Sequence, residues 1–183
     1  MKKEKNLGIT KIIEIPEGIN VNINSEITVS GPLGSLRKKF KLKGAKIELQ
    51  EKKIVLKSGR SGKKEKKIIG TVVAHIKNMF RGVKKKFTYV LQICSVHFPM
   101  SVNVSGNKLI IKNFLGERKE REAEILPDTD VKVEGDKIIV SSMNIESAGQ
   151  TAANMESATK IRSHDRRIFQ DGIWFKEKPV IEE

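Results

Sequence analysis

The side chains in this sequence that could do chemistry are cations, and they come in groups. Arg37, Lys38 and Lys39 leave a glycine turn together. Arg60, Lys63, Lys64, Lys66 and Lys67 crowd a stretch read as a loop entering a helix. Lys84, Lys85 and Lys86 follow that helix. Lys160, Arg162, Arg166 and Arg167 gather within eight residues, opposed only by Asp165. Arginine offers a planar fork of donors and lysine a mobile point charge, and both suit phosphate oxygens. A single lysine is ordinarily just solvated. Like charges crowded without acids repel one another unless a polyanion neutralises them, so the groups carry information that single residues do not.

The bulk charge agrees. The chain has 36 Lys and Arg against 22 Asp and Glu, a formal charge of +14 over 183 residues. Residues 1–90 hold 23 basic and 7 acidic side chains, whereas residues 91–183 hold 13 and 15. Nucleic acid is the usual partner for such an excess. An anionic membrane fits less well, because no apolar run approaches the roughly 20 residues of a span and no basic amphipathic helix with a bulky apolar face lies near a terminus. The basic start MKKEKNLGITK leads into no apolar signal core. A soluble intracellular protein is expected, so the Asn103-Val104-Ser105 sequon reads as chance.

Catalysis finds little support. GRSGKKEKK has glycines and lysines, but Gly59 and Gly62 are too close for a phosphate-binding loop, and Lys64 stands where a hydroxyl would hold magnesium. Three scattered histidines and one cysteine make no metal set, and no serine or cysteine sits in a nucleophile motif. No cofactor is expected. Cys94, in the strand-like run YVLQICSV, is expected to be buried and inert. A free regulatory nucleic-acid binder is the other rival. A sequence-specific reader needs a helix rich in Arg, Asn or Gln, and here the first helix spends its face on Ile and Val.

The elements that must hold these cations occur twice. With Pro16 set on Pro99, Ile19 and Val21 fall on Val102 and Val104. After one deleted residue, Ile27, Val29, Leu33 and Gly34 fall on Leu109, Ile111, Leu115 and Gly116. Ile47 then matches Val131, and Leu56 matches Val140. Alternation at Ile19, Val21, Ile23 and at Ile27, Val29 predicts a hairpin with one buried face. Lys46–Lys57 predicts a second hairpin broken at 50–52. The period then changes. Ile68, Ile69, Val72, Val73, Ile76, Met79 and Phe80 recur at helical spacing over 65–81, with Gly82 as the expected C-cap. A second helix, with the small-residue stripe Ala148, Ala152, Met155, Thr159, is expected over 147–161. The fold class is α+β: two tandem copies of a small domain, each a mostly antiparallel sheet with one helix packed on a face. The expected division is a flexible N-terminus (1–11), a first repeat (12–84), a second repeat (85–178) and an acidic tail (179–183).

Five stretches resemble a known family: VSGPLGSLRKKF (29–40), NMFRGVKKKFTYVL (78–91), VHFPMSV (96–102), IKNFLGER (111–118) and DRRIFQDGIWF (165–175). Together, in order and inside a duplicated unit, they are similar to the universal large-subunit ribosomal protein L-six family, on the archaeal and eukaryotic (L-nine) branch. The resemblance covers residues 10–178. It implies two copies of one domain, no catalysis and no independent homo-oligomer. It also implies direct binding to large-subunit ribosomal RNA in cytoplasmic ribosomes, near the stalk base and the sarcin–ricin loop. Neighbouring ribosomal proteins would lie alongside, with translation factors docking close by. The family's second domain is the one most engaged with RNA, whereas here the first carries the charge.

Structured RNA is recognised through shape, phosphate and 2′-hydroxyl contacts, with stacking at exposed bases. Backbone amides in the turns at 31–34 and 113–116 therefore join the cations as candidates. Asn113, Phe114, Gly116 and Arg118 are the candidates of the second turn. Phe114 fits two roles, a base stacker at a loop tip or a core residue anchoring the turn. His164, among arginines, suits stacking or phosphate bonding. His75 and His97 are expected to be structural, and Trp174 and Phe175 to pack on the second domain.

Overall fold

A computed structural model describes residues 8–40, 44–60, 62–162 and 164–179. The chain divides into two compact units, one running to Lys85 and the other starting at Lys86. Each closes around its own apolar core.

The first unit contains β1 (Ile9–Glu14), β2 (Asn20–Ile23), β3 (Ile27–Gly31), β4 (Gly34–Lys38), β5 (Ala45–Gln50), β6 (Lys53–Ser58) and α1 (Lys63–Lys84). Its strands split into two three-stranded antiparallel sheets, β2-β3-β4 and β1-β6-β5, rather than one. Ile27 and Val29 of β3 and Ile54 and Leu56 of β6 point inward, and α1 covers them with Ile69, Val72, Ile76, Met79, Phe80 and Val83. That stripe is the helical periodicity seen in the sequence.

The second unit contains β7 (Phe87–Cys94), β8 (Ser101–Ser105), β9 (Lys108–Lys112), β10 (Arg121–Glu124), β11 (Thr129–Glu134), β12 (Lys137–Ser142), α2 (Ile145–Ala158) and β13 (Gly172–Glu177). The sheets are β10-β9-β8 and β11-β12-β7-β13, again antiparallel. Ala148, Ala152 and Met155 of α2 are fully buried. The helix sits close enough that a Cβ on Gly149 would lie 3.0 Å from the Tyr89 hydroxyl. Burial pushes the Tyr89 phenol pKa up. Phe175 meets Tyr89 edge-on at 6.1 Å, and the Trp174 indole donates to the Gln170 carbonyl at 3.0 Å. Cys94 closes β7 and is half-buried rather than buried.

The duplication is visible in the pairing. Ile47 lies opposite Leu56 in one unit and Val131 opposite Val140 in the other, the equivalence read from the sequence. The preceding hairpin corrects that reading by two residues. Val21 faces Val29 and Val102 faces Ile111, so the counterpart of Val21 is Val102, not Val104. The cause is the turn. Three residues separate the paired Ile23 and Ile27, whereas Val104 and Leu109 enclose four.

Element boundaries also differ from expectation. Helix α2 runs Ile145–Ala158 rather than 147–161, with Thr159 as its cap. Strand β1 begins at Ile9, inside the stretch 1–11 expected to be flexible, because Ile9–Glu14 pairs residue for residue with β6 and Ile13 enters the core. Residues 1–7 and 180–183 lie outside the described residues. Gly82 is not the C-cap of α1; it is buried within the helix, which runs to Lys84 and is capped at Lys85, whose amide donates to the Arg81 carbonyl at 2.8 Å. The extension occurs because Val83 is itself a core residue, fully buried. Finally, α1 starts at Lys63, so the lysines of 63–67 stand on a helix rather than in a loop.

Candidate nucleic-acid interface

In the first unit the two glycines of Gly31-Pro32-Leu33-Gly34 face each other across a two-residue hairpin turn. The turn is seated on α1: the Leu33 amide donates to the Val83 carbonyl at 3.1 Å, and a Cβ on Gly31 would lie 2.7 Å from Val83 Cγ2. One backbone donor of this turn is therefore already used internally. Strand β4 then aims alternate side chains apart. Arg37 and Lys39 are exposed, but Lys38 is half-buried, with Nζ 3.3 Å from His75 Nδ1 and 5.9 Å from the Phe40 ring centre. His75 also lies 5.9 Å from Phe40, ring to ring, so it is structural as expected.

The lysines of α1 divide by electrostatics. A helix carries partial positive charge at its N-terminus and partial negative charge at its C-terminus, so a cation is disfavoured at one end and favoured at the other by about 0.3–1 kcal/mol. Arg81 and Lys84 stand in the last turn, where the helix itself accounts for them. Lys63, Lys64, Lys66 and Lys67 stand at the first turns, with Glu65 the one acid among them. The Glu65 carboxylate folds back over Gly62, where a Cβ would collide with Oε2. All four lysines are exposed. Among the described residues none of the four pairs with an acid. Arg60 and Lys85 are exposed too, while Lys86 is engaged by Asp130 at 2.6 Å. Lys86 thus has an acid partner in the fold, distant in sequence, in an exposed ion pair.

In the second unit the counterpart of the glycine turn is not tight. It is a long connection from Lys112 to Arg121 containing a single 3-10 turn, Phe114–Gly116. Asn113, Leu115 and Gly116 all have positive φ, at 58°, 50° and 76°. Phe114 is buried, 1 % exposed, which removes it from the candidate base stackers; it is the core anchor of the turn. Arg121 holds this connection. Its guanidinium lies 4.3 Å from the Phe114 ring centre, pairs with both Glu117 oxygens (Nε–Oε2 2.8 Å, Nη2–Oε1 2.5 Å), and donates through Nη1 to the carbonyls of Ala158 and Lys160 at the end of α2. The hydrogen bonds from Arg121 lower the Glu117 carboxyl pKa against the opposing effect of burial. Sequence reasoning passed over Arg121 because it stands between Glu120 and Glu122 in a run of mixed sign, not in an acid-free cluster. Asn113 Nδ2 donates to the Pro99 carbonyl at 2.9 Å, the Gly116 amide is turned toward the Asn113 carbonyl at 3.4 Å, and Arg118 is exposed.

The C-terminal basic segment connects α2 to β13 and is fastened at both ends. At its start Arg121 grips the Lys160 carbonyl, and Ile161 is buried. At its finish the Ile173 amide donates to Thr159 Oγ at 2.9 Å, and Asp171 is 2 % exposed. Asp171 is fully engaged: Oδ1 accepts from the amides of Val96 and His97, and Oδ2 lies 2.5 Å from His97 Nδ1. Burial would raise its pKa, but the hydrogen bonds from the His97 ring and the two amides, with the His97 charge, outweigh burial and lower it. The His97 ring stacks on Phe169 at 4.5 Å, and His164 lies against the same Phe169 at 4.6 Å. His97 is structural, as expected, and His164 is committed to an aromatic neighbour within the fold. Asp165 does not neutralise the arginines. Its Oδ1 accepts from the Arg167 amide and its carbonyl from the amides of Ile168 and Phe169, which bends the segment into a turn. Lys160, Arg162, Arg166 and Arg167 are left exposed on that turn and its approach, and none has an acid partner among the described residues.

The structure therefore brings the 113–118 connection and the 160–167 segment to the loop 95–100, through Asn113 on Pro99 and through Asp171 and Phe169 on His97. Among the described residues no group of three or more His, Cys, Asp or Glu could hold a metal, and no helix is long and apolar enough to cross a membrane.

Two repeats of an α+β unit, each presenting unpaired cations on fixed backbone, define a scaffold for binding a polyanion. The comparisons with known proteins narrow that class. The family described as Ribosomal protein L6 matches residues 15–86 and 98–172, once in each unit. Large ribosomal subunit protein uL6 of Methanosarcina mazei is 46% identical over 171 residues, covering 93% of this chain and 97% of the relative. The protein of the same description from Sulfurisphaera tokodaii is 46% identical over 171 residues, covering 92% of each chain, and that from Aeropyrum pernix 40% over 179 residues, covering 97% and 98%. The chain belongs to the ribosomal protein L6 family.

Proposed function

We propose that this chain is a structural, non-catalytic component of the large subunit of cytoplasmic ribosomes and binds large-subunit rRNA directly. The proposed position is beside the stalk base and the sarcin–ricin loop, among neighbouring ribosomal proteins, where translation factors dock. The reading rests on the family membership and on one physical observation: the basic segment 160–167 presents Lys160, Arg162, Arg166 and Arg167 without acid partners on a backbone fastened at both ends. A segment held in advance loses little further conformational entropy on binding, so its cations serve recognition rather than mere attraction. Arg118, the exposed lysines 63, 64, 66 and 67, and Arg37, Lys39, Arg60, Lys84 and Lys85 are the further proposed phosphate contacts.

Chemical footprinting of large-subunit rRNA with the purified protein tests this. One compact protected site adjoining the sarcin–ricin loop is expected. Diffuse protection along the RNA would make the protein a general polyanion binder and overturn the reading.

A further inference from the structure

Phe114, the aromatic residue of the long connection in the second unit, is buried, yet another aromatic ring stands exposed beside it. Phe98 is 47% exposed on the loop 95–100. The ring leans on Gly116: a Cβ built there would lie 3.6 Å from Phe98 Cε1 and 3.7 Å from Cζ, an ordinary van der Waals approach. Gly116, with φ of +76°, has no side chain to cover the ring. The loop carrying Phe98 is fixed on either side of it, by the His97 amide and ring on Asp171 and by Asn113 on the Pro99 carbonyl. An exposed phenylalanine in a mobile loop has many ways to hide, and this one is held where it stays in solvent. Val96, 78% exposed, precedes it on the same loop. Arg118 follows two residues after Gly116, and the arginines 162, 166 and 167 stand on the segment joined to this loop through Asp171 and Phe169.

We propose that Phe98 is a base-stacking platform: an unpaired rRNA base lies on its exposed face while Arg118 and the arginines of 162–167 hold the phosphates on either side of that nucleotide. An exposed apolar ring on a loop joined to two segments that carry unpaired cations suits a nucleotide, which is a flat apolar face bearing an anion, better than an apolar protein surface, where burying such cations would be costly. The inference rests on the proposed rRNA binding and assigns one residue within it.

The test is equilibrium binding of the full chain to large-subunit rRNA, comparing the native protein with Phe98→Leu and Phe98→Trp at several salt concentrations. Phe98→Leu keeps an apolar side chain of similar reach but removes the π-face. It is expected to weaken binding about five- to 150-fold, the range for loss of one stacked base, with the salt slope unchanged because no phosphate contact is touched. Phe98→Trp is expected to bind as well as the native protein, and its new indole fluorescence to be quenched by RNA. A Phe98→Leu protein that binds as tightly as the native chain overturns the platform, as does equal loss in both variants. Absence of salt-sensitive binding by the native chain overturns the rRNA reading itself, so the two failures are distinct.

Discussion

At the scale of single residues, Arg121 is the side chain that ties the second unit's long connection to the end of α2. Arg121 joins Glu117, the Phe114 ring, the Ala158 carbonyl at the end of α2 and the Lys160 carbonyl beyond it. It does three tasks that only a planar multi-donor cation can combine. Arg121→Leu is expected to destabilise the protein by about 1–3 kcal/mol, the scale of a charge-assisted hydrogen bond and an unpaired carbonyl, measured by denaturant unfolding. A pH dependence accompanies it. The folded pKa of Glu117 is lowered below its ordinary value. Its contribution to stability is therefore fully present above the ordinary glutamate range and is lost as pH falls through the lowered value. The stability gap between the native protein and Arg121→Leu should narrow as pH drops below about 4. A gap that stays constant into acid would mean that the backbone contacts, not Glu117, account for the whole effect. Phe114 shows the same distinction between sequence and contact. An aromatic residue beside glycine and arginine suits either a loop tip or a core, and only burial decides between them.

At the scale of elements, the hairpin turn of the first unit depends on a close approach rather than on turn chemistry alone. Gly31 packs against Val83, with Cγ2, Cβ and the backbone oxygen all within 3.2 Å of a built Cβ. Gly31→Ala is expected to lower stability by about 1–3 kcal/mol through overpacking against a buried residue that cannot yield, seen as a lower melting temperature. A melting temperature equal to that of the native protein would show that α1 can shift its last turn freely. What the sequence made legible here follows from periodicity. The long stripe of α1 and the hairpins at 46–57 and 19–29 alternate strongly enough to be read. Strand β1 was not read, because Ile12 and Ile13 are adjacent and Ile12 is 60% exposed, which breaks the alternation. Strand β10 was not read either, since REAE offers only Ala123 to the core. The two-residue slip between Val21 and Val104 was invisible for a sharper reason. Side chains in a strand repeat every second position, so a shift of two leaves every inward residue inward. Only the turn length fixes the register. The cation clusters were legible as clusters, but which members were already paired was not: Lys86 meets Asp130 from 44 positions away.

At the scale of the whole molecule, the formal positive charge lies in the first half, whereas the proposed phosphate contacts lie in both. Among the described residues four acids of the second unit pair with its own lysines and Arg121, as Lys86–Asp130, Lys108–Glu122, Lys112–Glu120 and Arg121–Glu117, and none pairs with the cations of 160–167. Formal charge therefore understates how cationic its 160–167 segment is locally. In the first unit the excess stands openly at the start of α1. Two charge-removal variants separate the contributions: Lys63, Lys64, Lys66 and Lys67 all changed to Gln, and Arg162, Arg166 and Arg167 all changed to Ala. Each phosphate contact adds about 0.7–0.9 to the slope of log affinity against log salt concentration. Removing three arginines that all touch phosphate should therefore flatten the slope by about two to three units. The arginine variant should remain folded, since the turn is held by Asp165, Phe169 and Asp171 rather than by the arginine side chains. The lysine variant should gain helix stability once the repulsion at the N-terminus is removed, while its salt slope falls only if that surface meets RNA. A flattened slope in both variants means that both units clamp the RNA. A slope altered only by the lysine changes moves the interface to the first unit, and the fastened segment 160–167 would then owe its rigidity to some other contact.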